Sequence, residues 1–338
     1  MQNNEVSIVV TSIFNPNKSL RALAEGARKN NWNFLIVGDV SSPKDFHLDG
    51  ANYYDIPNQK NLDFKYAGLC PERHYTRKNI GYLLAIQNGS EIIIETDDDN
   101  IPTSEFWLQR QSSTIGKVVK GSGWANVYSL YTETKVWPRG FPLENIDCIN
   151  SNISIESTQE KIYCPVQQGL ADENPDVDAV FRMTYKLPIF FDKKGIFHLK
   201  KGVWCPFNSQ NTTWFKDAFQ LLYLPSYCSF RMTDIWRSFV TQRLLWECGW
   251  GLMFHDSTVW QERNEHSLIK DFEQEVPGYL NNNKIKTILE NLILKQGKDQ
   301  IGNNMLICYE ALVSNRIISD SKELDLLTAW LDDIQLLK

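Results

Sequence analysis

The stretch Glu91-Ile92-Ile93-Ile94-Glu95-Thr96-Asp97-Asp98-Asp99-Asn100 decides the reading of this chain. Ile92 to Ile94 is a short apolar run of the kind buried on both faces of a parallel sheet. Three consecutive carboxylates follow at its C-terminal end, an arrangement that is costly unless positive charge sits among them. Two readings compete. One is a solvated acidic turn; the other is a set of oxygen ligands for a divalent cation, with Mg²⁺ or Mn²⁺ shared with a phosphorylated substrate as its commonest use. In open α/β sheets, ligands bind outside the carboxyl ends of the strands, where Asp97, Asp98 and Asp99 fall. An EF-hand calcium loop fits poorly, because its sixth position demands glycine and, counted from Asp97, that place holds Pro102.

The elements around this strand alternate in type. Val6 to Val10 predicts a first parallel strand ending in Thr11-Ser12, and Leu20, Leu23, Ala24 and Ala27 then follow at helical spacing. Phe34 to Val37 predicts a second strand closed by Gly38-Asp39, which completes a right-handed βαβ unit. Tyr53, Tyr54 and Ile56 suggest a third, short strand. Pro71 is expected to open a helix with Ile80, Leu83 and Leu84 on its apolar face and Gly89 at its end. After the acidic strand, a helix is expected from Pro102 with Asn100 as its cap.

From 117 to 232 the character changes. Strand-like runs at 117–120, 161–166, 195–199 and 220–224 are interrupted by Pro, Gly and aromatic residues, which suits a sheet extension with long functional loops. Helical patterning returns at Thr233, read as a cap, with Ile235, Phe239, Leu244 and Leu245 facing inward. Beyond 268, Ile285, Ile288, Leu289, Leu292 and Ile293 form one amphipathic stripe, and Leu324, Leu327, Leu331, Ile334 and Leu337 another. This tail either packs on its own core or offers a surface for homo-oligomerisation.

Composition narrows the function. The chain has 338 residues, 42% apolar and 12% aromatic, ample for a large core. A net charge of −6 without a basic tract argues against a nucleic-acid binder. The seven cysteines include no CxxC pair, which favours reduced, buried thiols over a zinc site or disulfide scaffold. Met1 to Glu5 lacks a basic leader, and no apolar run approaches the roughly 18 residues of a membrane span. The expectation is a soluble, cytoplasmic protein without a transmembrane segment.

Several clusters supply candidate chemistry. Arg77 and Lys78 precede the apolar face of their helix, which runs back towards the acidic strand, so they are candidates to neutralise phosphate or hold the donor sugar. Asp39 occupies the strand end where α/β nucleotide sites place an acid against ribose hydroxyls. Asp172, Asp176 and Asp178 belong to a dense acidic run; one of them is expected to bind substrate hydroxyls, and Asp176 is also a candidate helix cap. Asp234 sits at a helix start, where the dipole keeps a carboxylate ionised, and is the candidate general base. His255 and His266 are the candidates for a late histidine closing a metal site.

With these residues in view, the chain resembles a known family, the STELLO-type glycosyltransferases, and more distantly the reversibly glycosylated polypeptides. The matching segments are Arg77-Lys78-Asn79-Ile80-Gly81-Tyr82, Ala85-Ile86-Gln87-Asn88-Gly89, Glu95 to Asn100 and Trp137-Pro138-Arg139-Gly140-Phe141-Pro142-Leu143. Further on come Gln168 to Asp172, Pro175 to Ala179, Pro206 to Thr212, Thr233 to Arg237 and Arg263-Asn264-Glu265-His266. They run in order over roughly residues 6 to 275, with the C-terminal helices outside the likeness.

The resemblance implies an α/β protein with a GT-A-like nucleotide-binding α/β/α sandwich, to which the helical patterning beyond 268 adds a C-terminal helical extension. That divides the chain into a glycosyltransferase domain over 1–267, with halves 1–116 and 117–267, and a helical region over 268–338. It implies a metal-dependent glycosyltransferase of hexosyl or pentosyl class, moving sugar from a nucleotide donor, a UDP-sugar first, to a carbohydrate or glycolipid acceptor in surface polysaccharide synthesis. Asp97 to Asp99 take the place of the DxD motif, with Asp97, Asp99 and His266 on Mn²⁺ or Mg²⁺. Thr11, Asp39, Arg77, Lys78, Asn79, Asp97, Asp98 and Arg263 then surround the donor. Asp172, Asp176, Asp178, Asn208 and Gln210 meet the substrate, and Asp234 serves as catalytic base. The plant members are membrane-anchored Golgi proteins, whereas the expectation for this sequence is a bacterial-type cytoplasmic enzyme without such an anchor. A non-catalytic scaffold and a sugar-nucleotide mutase are the alternatives.

Overall fold

The computed structural model describes residues 5–147, 150–262 and 267–337. The first half runs β1 (Val6–Thr11), α1 (Lys18–Asn30), β2 (Asn33–Val37), β3 (Asn52–Tyr54), α2 (Ile56–Lys60), α3 (Lys65–Leu69), α4 (Lys78–Gln87) and β4 (Ile92–Thr96). β1 pairs parallel with both β2 and β4, and β3 pairs parallel with β2, giving the order 3-2-1-4. Ile8 and Val10 pack with Leu20, Leu23, Ala24 and Ala27 of α1, while Val9 and Leu35 pack with Ile80, Leu83 and Leu84 of α4. Burial on both faces is why these strands read as unbroken apolar runs.

Two helix starts differ from expectation. The helix expected from Pro71 begins at Lys78, after a short 3-10 turn at Tyr75–Arg77. Residues 73 and 74 are held elsewhere: their backbone N–H groups donate to the Asp39 carboxylate at 2.9 and 2.8 Å. No α-helix starts at Pro102 either. Asn100–Pro102 is a strand, β5, and Asn100 is no cap; its amide donates to the Gln210 carbonyl at 2.6 Å.

The second half continues β6 (Ser113–Gly121), β7 (Gly123–Trp124), β8 (Ile153–Tyr163), β9 (Val166–Asp172), α5 (Ala179–Thr184), β10 (Phe197–Leu199), β11 (Val203–Trp204), β12 (Asn211–Phe215), α6 (Thr233–Glu247) and β13 (Leu252–Gln261). Among the described residues, eleven strands form one mixed sheet. Its main path is 3-2-1-4-12-9-13-10-6-8, and β5 pairs with β13. β12 runs antiparallel to β4 with Asn211 opposite Thr96, so the sheet crosses residue 117 without a break. The strand expected at 220–224 is instead a 3-10 segment over Lys216–Leu222. Thr233 opens α6 as expected but is no cap, since the flanking position is Met232 and no side chain caps that end.

The tail forms α7 (Leu268–Asn291), α8 (Ile301–Ser314) and α9 (Lys322–Leu336). Ile285, Leu289, Met305, Leu327 and Ile334 join Phe239, Leu244 and Leu245 of α6 in the main apolar cluster, whereas Ile293 stands 95% exposed outside it. Of the two expected roles, packing on the chain's own core is the one seen. Carboxylates pin the tail further: Asp333 accepts the N–H groups of Lys65 and Tyr66 at the head of α3 (2.9 and 2.8 Å), and Glu323 accepts those of Ser226 and Tyr227 (2.9 and 2.7 Å). Cys70, Cys164, Cys205, Cys228, Cys248 and Cys308 are free thiols. Among the described residues, no helix is long and apolar enough to cross a membrane.

Candidate active site

A cleft of about 520 Å³ opens at the C-terminal ends of β1, β2 and β4, lined there by Thr11, Ser12, Gly38, Asp39 and the trio Asp97 to Asp99. This is the crevice where the strand order turns back on itself, the place an open α/β sheet offers to ligands. The facing wall carries Arg139, Asp176, Ser209, Gln210, Arg231 and Asp234.

The three aspartates take different partners. Asp97 Oδ1 lies 3.6 Å from Lys78 Nζ and 3.4 Å from the Tyr75 hydroxyl. Lys78 is fully buried and donates to the Thr96 carbonyl and the Tyr75 oxygen, both at 2.9 Å, so it backs the aspartate rather than entering the cleft. Asp98 Oδ2 accepts from Ser12 Oγ at 2.6 Å, and Asp99 Oδ1 accepts from Gln261 Nε2 at 2.9 Å. The enclosing protein pushes the Asp97 carboxyl up to about 7; Lys78 opposes this, and the charges of Asp99, Asp234 and Asp98 add to it. Burial likewise pushes Asp98 up to about 6 against the Ser12 hydrogen bond. In both cases burial, which disfavours the charged form, is the main cause.

A divalent ion fits this donor set in a specific way. Among the described residues, no three His, Cys, Asp or Glu side chains converge to hold a metal by themselves. Mg²⁺ and Mn²⁺ sites of the oxygen type need only one or two carboxylates when substrate phosphates and water complete the shell. Asp97 and Asp99 supply that. His266 and Arg263 lie outside the described residues. His255 is placed in β13, where its Nδ1 meets the Asp256 carbonyl oxygen at 2.8 Å, and burial pushes it down to about 4. It does not line the cleft.

The other expected residues divide. Thr11, Asp39, Arg77, Asp176, Gln210 and Asp234 line the cleft. Asp39 spends its carboxylate on backbone N–H groups, those of Val40 (2.6 Å), Arg73 and His74. Arg77 is 1% exposed and donates to Gln59 Oε1 at 2.7 Å and to the carbonyls of Cys70 and Pro71. Asn79, expected near the donor, faces Tyr66 and Leu224 behind the sheet instead. Asp178 is the cap of α5, accepting from the Phe181 N–H at 2.7 Å and from Trp137 Nε1 at 2.7 Å. That place leaves Asp176 without the capping role. Asp172 accepts from Ser257 Oγ and the Phe191 N–H, and Asn208 Oδ1 accepts from the Gln210 N–H. None of Asn79, Asp172, Asp178 and Asn208 lines the cleft. Each fills a bond that the fold itself needs.

Arg139 is the cleft residue that the sequence reading left without a role. Its fork reaches Asp234 Oδ1 and Oδ2 at 3.1 and 2.9 Å, and its Nε reaches Asp176 Oδ1 at 2.8 Å. Asp234 Oδ2 also accepts from the N–H and hydroxyl of Ser209 at 3.2 and 3.3 Å. Burial alone would raise the Asp234 carboxyl, but Arg139 overrides it and holds the group below the usual carboxylate range. Asp176 Oδ2, by contrast, is buried without a partner among the described residues. The signal that could have found Arg139 is charge balance: two acids expected to face one cleft require a cation between them.

Comparison with known proteins finds similarity to one described family. The family profile described as STELLO glycosyltransferases matches residues 231–338. That range takes in the C-terminal helices, which the sequence reading had left outside the likeness. Two Arabidopsis thaliana proteins are similar over a longer span. "Probable glycosyltransferase STELLO2" is 30% identical over 278 residues, 75% of this chain and 35% of that protein. "Probable glycosyltransferase STELLO1" is 32% identical over 273 residues, 72% of this chain and 33% of that protein. The chain therefore spans about a third of the length of the curated relatives it matches. Among solved structures, a mycobacterial protein aligns at TM-score 0.41 and 10% identity over 83% of this chain and 75% of its own. The Mycobacterium tuberculosis glucosyl-3-phosphoglycerate synthase aligns at 0.40 and 11% over 83% and 81%.

Proposed function

Proceeding from this similarity to the STELLO glycosyltransferases, we propose that the chain transfers a sugar from a nucleotide donor, a UDP-sugar first, to a hydroxyl of a carbohydrate or glycolipid acceptor. The observation that carries the reading is Asp97: a carboxyl at the C-terminal end of β4, one-third exposed to a cleft of about 520 Å³, with its nearest donors at 3.4 and 3.6 Å. Asp97 and Asp99 would hold Mn²⁺ or Mg²⁺, which when bound offsets the charge of the leaving diphosphate.

The remaining steps belong to the chain. Thr11, Ser12 and Gly38 line the donor side, and Asp176, Arg139 and Asp234 line the acceptor side. The acceptor oxygen forms the new bond to the anomeric carbon. The bond from that carbon to the diphosphate oxygen breaks, and its electron pair leaves with the nucleotide. The acceptor's proton passes to a carboxylate of the facing wall. Asp234 is the expected base, yet its oxygens already accept from Arg139 and Ser209, so Asp176, whose buried Oδ2 has no partner among the described residues, is the better acceptor for that proton. Asp234 then fixes Arg139, and Arg139 fixes Asp176. A role in surface polysaccharide synthesis accords with this reaction.

Calorimetry tests the reading. The wild type should bind UDP in the presence of Mn²⁺ and lose at least about 100-fold in affinity on Asp97→Ala with Asp99→Ala, the scale of losing ligands to a metal-bridged diphosphate. Equal affinity in chelator and in metal would refute it.

A further inference from the structure

We propose that Arg73 clamps the donor's diphosphate from the side opposite the metal, and that Asp39 is the positioning residue that holds Arg73 there. The proposal rests on the nucleotide-sugar reading above and adds to it the cation that the reading lacks.

A diphosphate carries more negative charge than one divalent ion neutralises, so a site that binds it needs a further cation. The other basic residues around the cleft have partners of their own. Arg77 is 1% exposed and held by Gln59 and two backbone carbonyls through Nε and Nη1, with its Nη2 buried and unpartnered among the described residues, so it backs the wall instead of reaching into the cleft. Lys78 is sealed behind Asp97. Arg139 is shared between Asp176 and Asp234, and Arg231 lies between Glu275 at 2.7 Å and Asp271 at 3.7 Å. Arg182 donates to the Pro175 carbonyl at 3.0 Å. His74 lends no positive charge, since burial pushes its ring down and its Nδ1 accepts from the Thr76 N–H. Arg73 differs from all of these. It is exposed and lines the cleft, and its guanidinium has no hydrogen bond or ion pair among the described residues.

The backbone adds a second observation. Arg73 adopts φ 56°, the left-handed region that a non-glycine residue enters at a cost. A glycine would sit there freely, whereas an arginine holds this conformation at a local cost. The Asp39 carboxylate keeps the turn in place, with one oxygen on the Arg73 N–H and the other on the His74 N–H. Asp39 was expected to read ribose hydroxyls; instead it spends both oxygens placing Arg73 at the lip.

Geometry and chemistry agree. Asp39 follows β2 and Asp97 follows β4, with β1 between them. Two strand spacings put these points roughly 10 Å apart, a gap that an arginine side chain and a diphosphate can share. A planar fork of donors suits phosphate oxygens in a way a lysine does not.

The test uses the full chain with two probes, UDP and inorganic pyrophosphate, each with Mg²⁺. Arg73→Gly should weaken both by a similar factor, roughly 10- to 100-fold for one lost charge-assisted pair, and Arg73→Lys by less. Its melting temperature should be no lower than that of the wild type, because glycine relieves the left-handed backbone. Asp39→Asn should weaken both probes in the same ratio. Unchanged binding by Arg73→Gly overturns the clamp, and so does a loss for UDP alone, which would make Arg73 a nucleoside contact. Failure of the wild type to bind UDP would instead sink the nucleotide-sugar reading itself.

Discussion

The polar layer under the cleft and the floor of the cleft hold two carboxylates two residues apart, Glu95 within β4 and Asp97 just past its end, and the two have opposite surroundings. Glu95 is fully buried and saturated: Arg237 donates from both terminal nitrogens at 2.9 and 2.7 Å, Trp214 Nε1 donates at 2.8 Å, and the Tyr82 hydroxyl donates as well. The Asp97 side chain is one-third exposed to the cleft, and its nearest donors stand at 3.4 and 3.6 Å. One acid has every lone pair answered by the fold; the other is left short. A carboxylate whose partners are all internal belongs to the structure, and one with partners missing belongs to a ligand.

The comparison breaks most sharply under paired substitutions. Glu95→Ala strands the buried Arg237 guanidinium and should cost about 3–5 kcal/mol in urea unfolding, whereas Asp97→Ala should stay within about 1 kcal/mol of the wild type. Equal losses would erase the distinction. Glu323 of α9 sharpens it as an intermediate case. It is fully buried and its donors are neutral, namely the Tyr223 hydroxyl and two backbone N–H groups. Burial pushes its carboxyl up to about 7 from an ordinary 4.5. The fold therefore keeps a proton that the unfolded chain releases. This contribution is present in full below pH 4.5 and is lost as pH rises through 7. Glu323→Gln should flatten that window by on the order of 2–3 kcal/mol, read as the difference between unfolding free energies at its two ends. The smallest effect belongs to Asp333, which is filled by two N–H groups at the head of α3. Asp333→Ala should cost about 1 kcal/mol, as loss of a helix cap does, with no change in nucleotide binding.

The same contrast explains what was legible. β1, β2 and β4 are apolar runs buried on both faces, and α1 has a 3.6-residue stripe, so hydropathy finds them. The trio at Asp97 is visible because its members are adjacent in sequence. β9 and β12 are different. Gln167, Gln168, Asn211 and Thr212 are buried in the centre of the sheet, and their polarity conceals them from any hydropathic reading. Their side chains are answered within the fold: Gln168 Nε2 donates to the Asn211 carbonyl, and Asn211 Nδ2 to the Leu170 carbonyl. The expected helix at Pro102 failed for a related reason, since a pairing with β13, far along the chain, outweighs the local signal. Arg139 escaped notice because its two acids lie 37 and 95 residues away. Asp172, Asp178 and Asn79 looked functional by residue type, yet every one is answered by a neighbour. Residue type proposes a site; satisfaction of its hydrogen bonds decides.

A crystal grown with Mn²⁺ and UDP tests the central claim most directly. An anomalous manganese peak is expected at roughly 2.2 Å from a carboxylate oxygen of Asp97 or Asp99, bridged to the diphosphate, with Glu95 still on Arg237. Nucleotide bound elsewhere, or both aspartates bare beside it, would contradict the account.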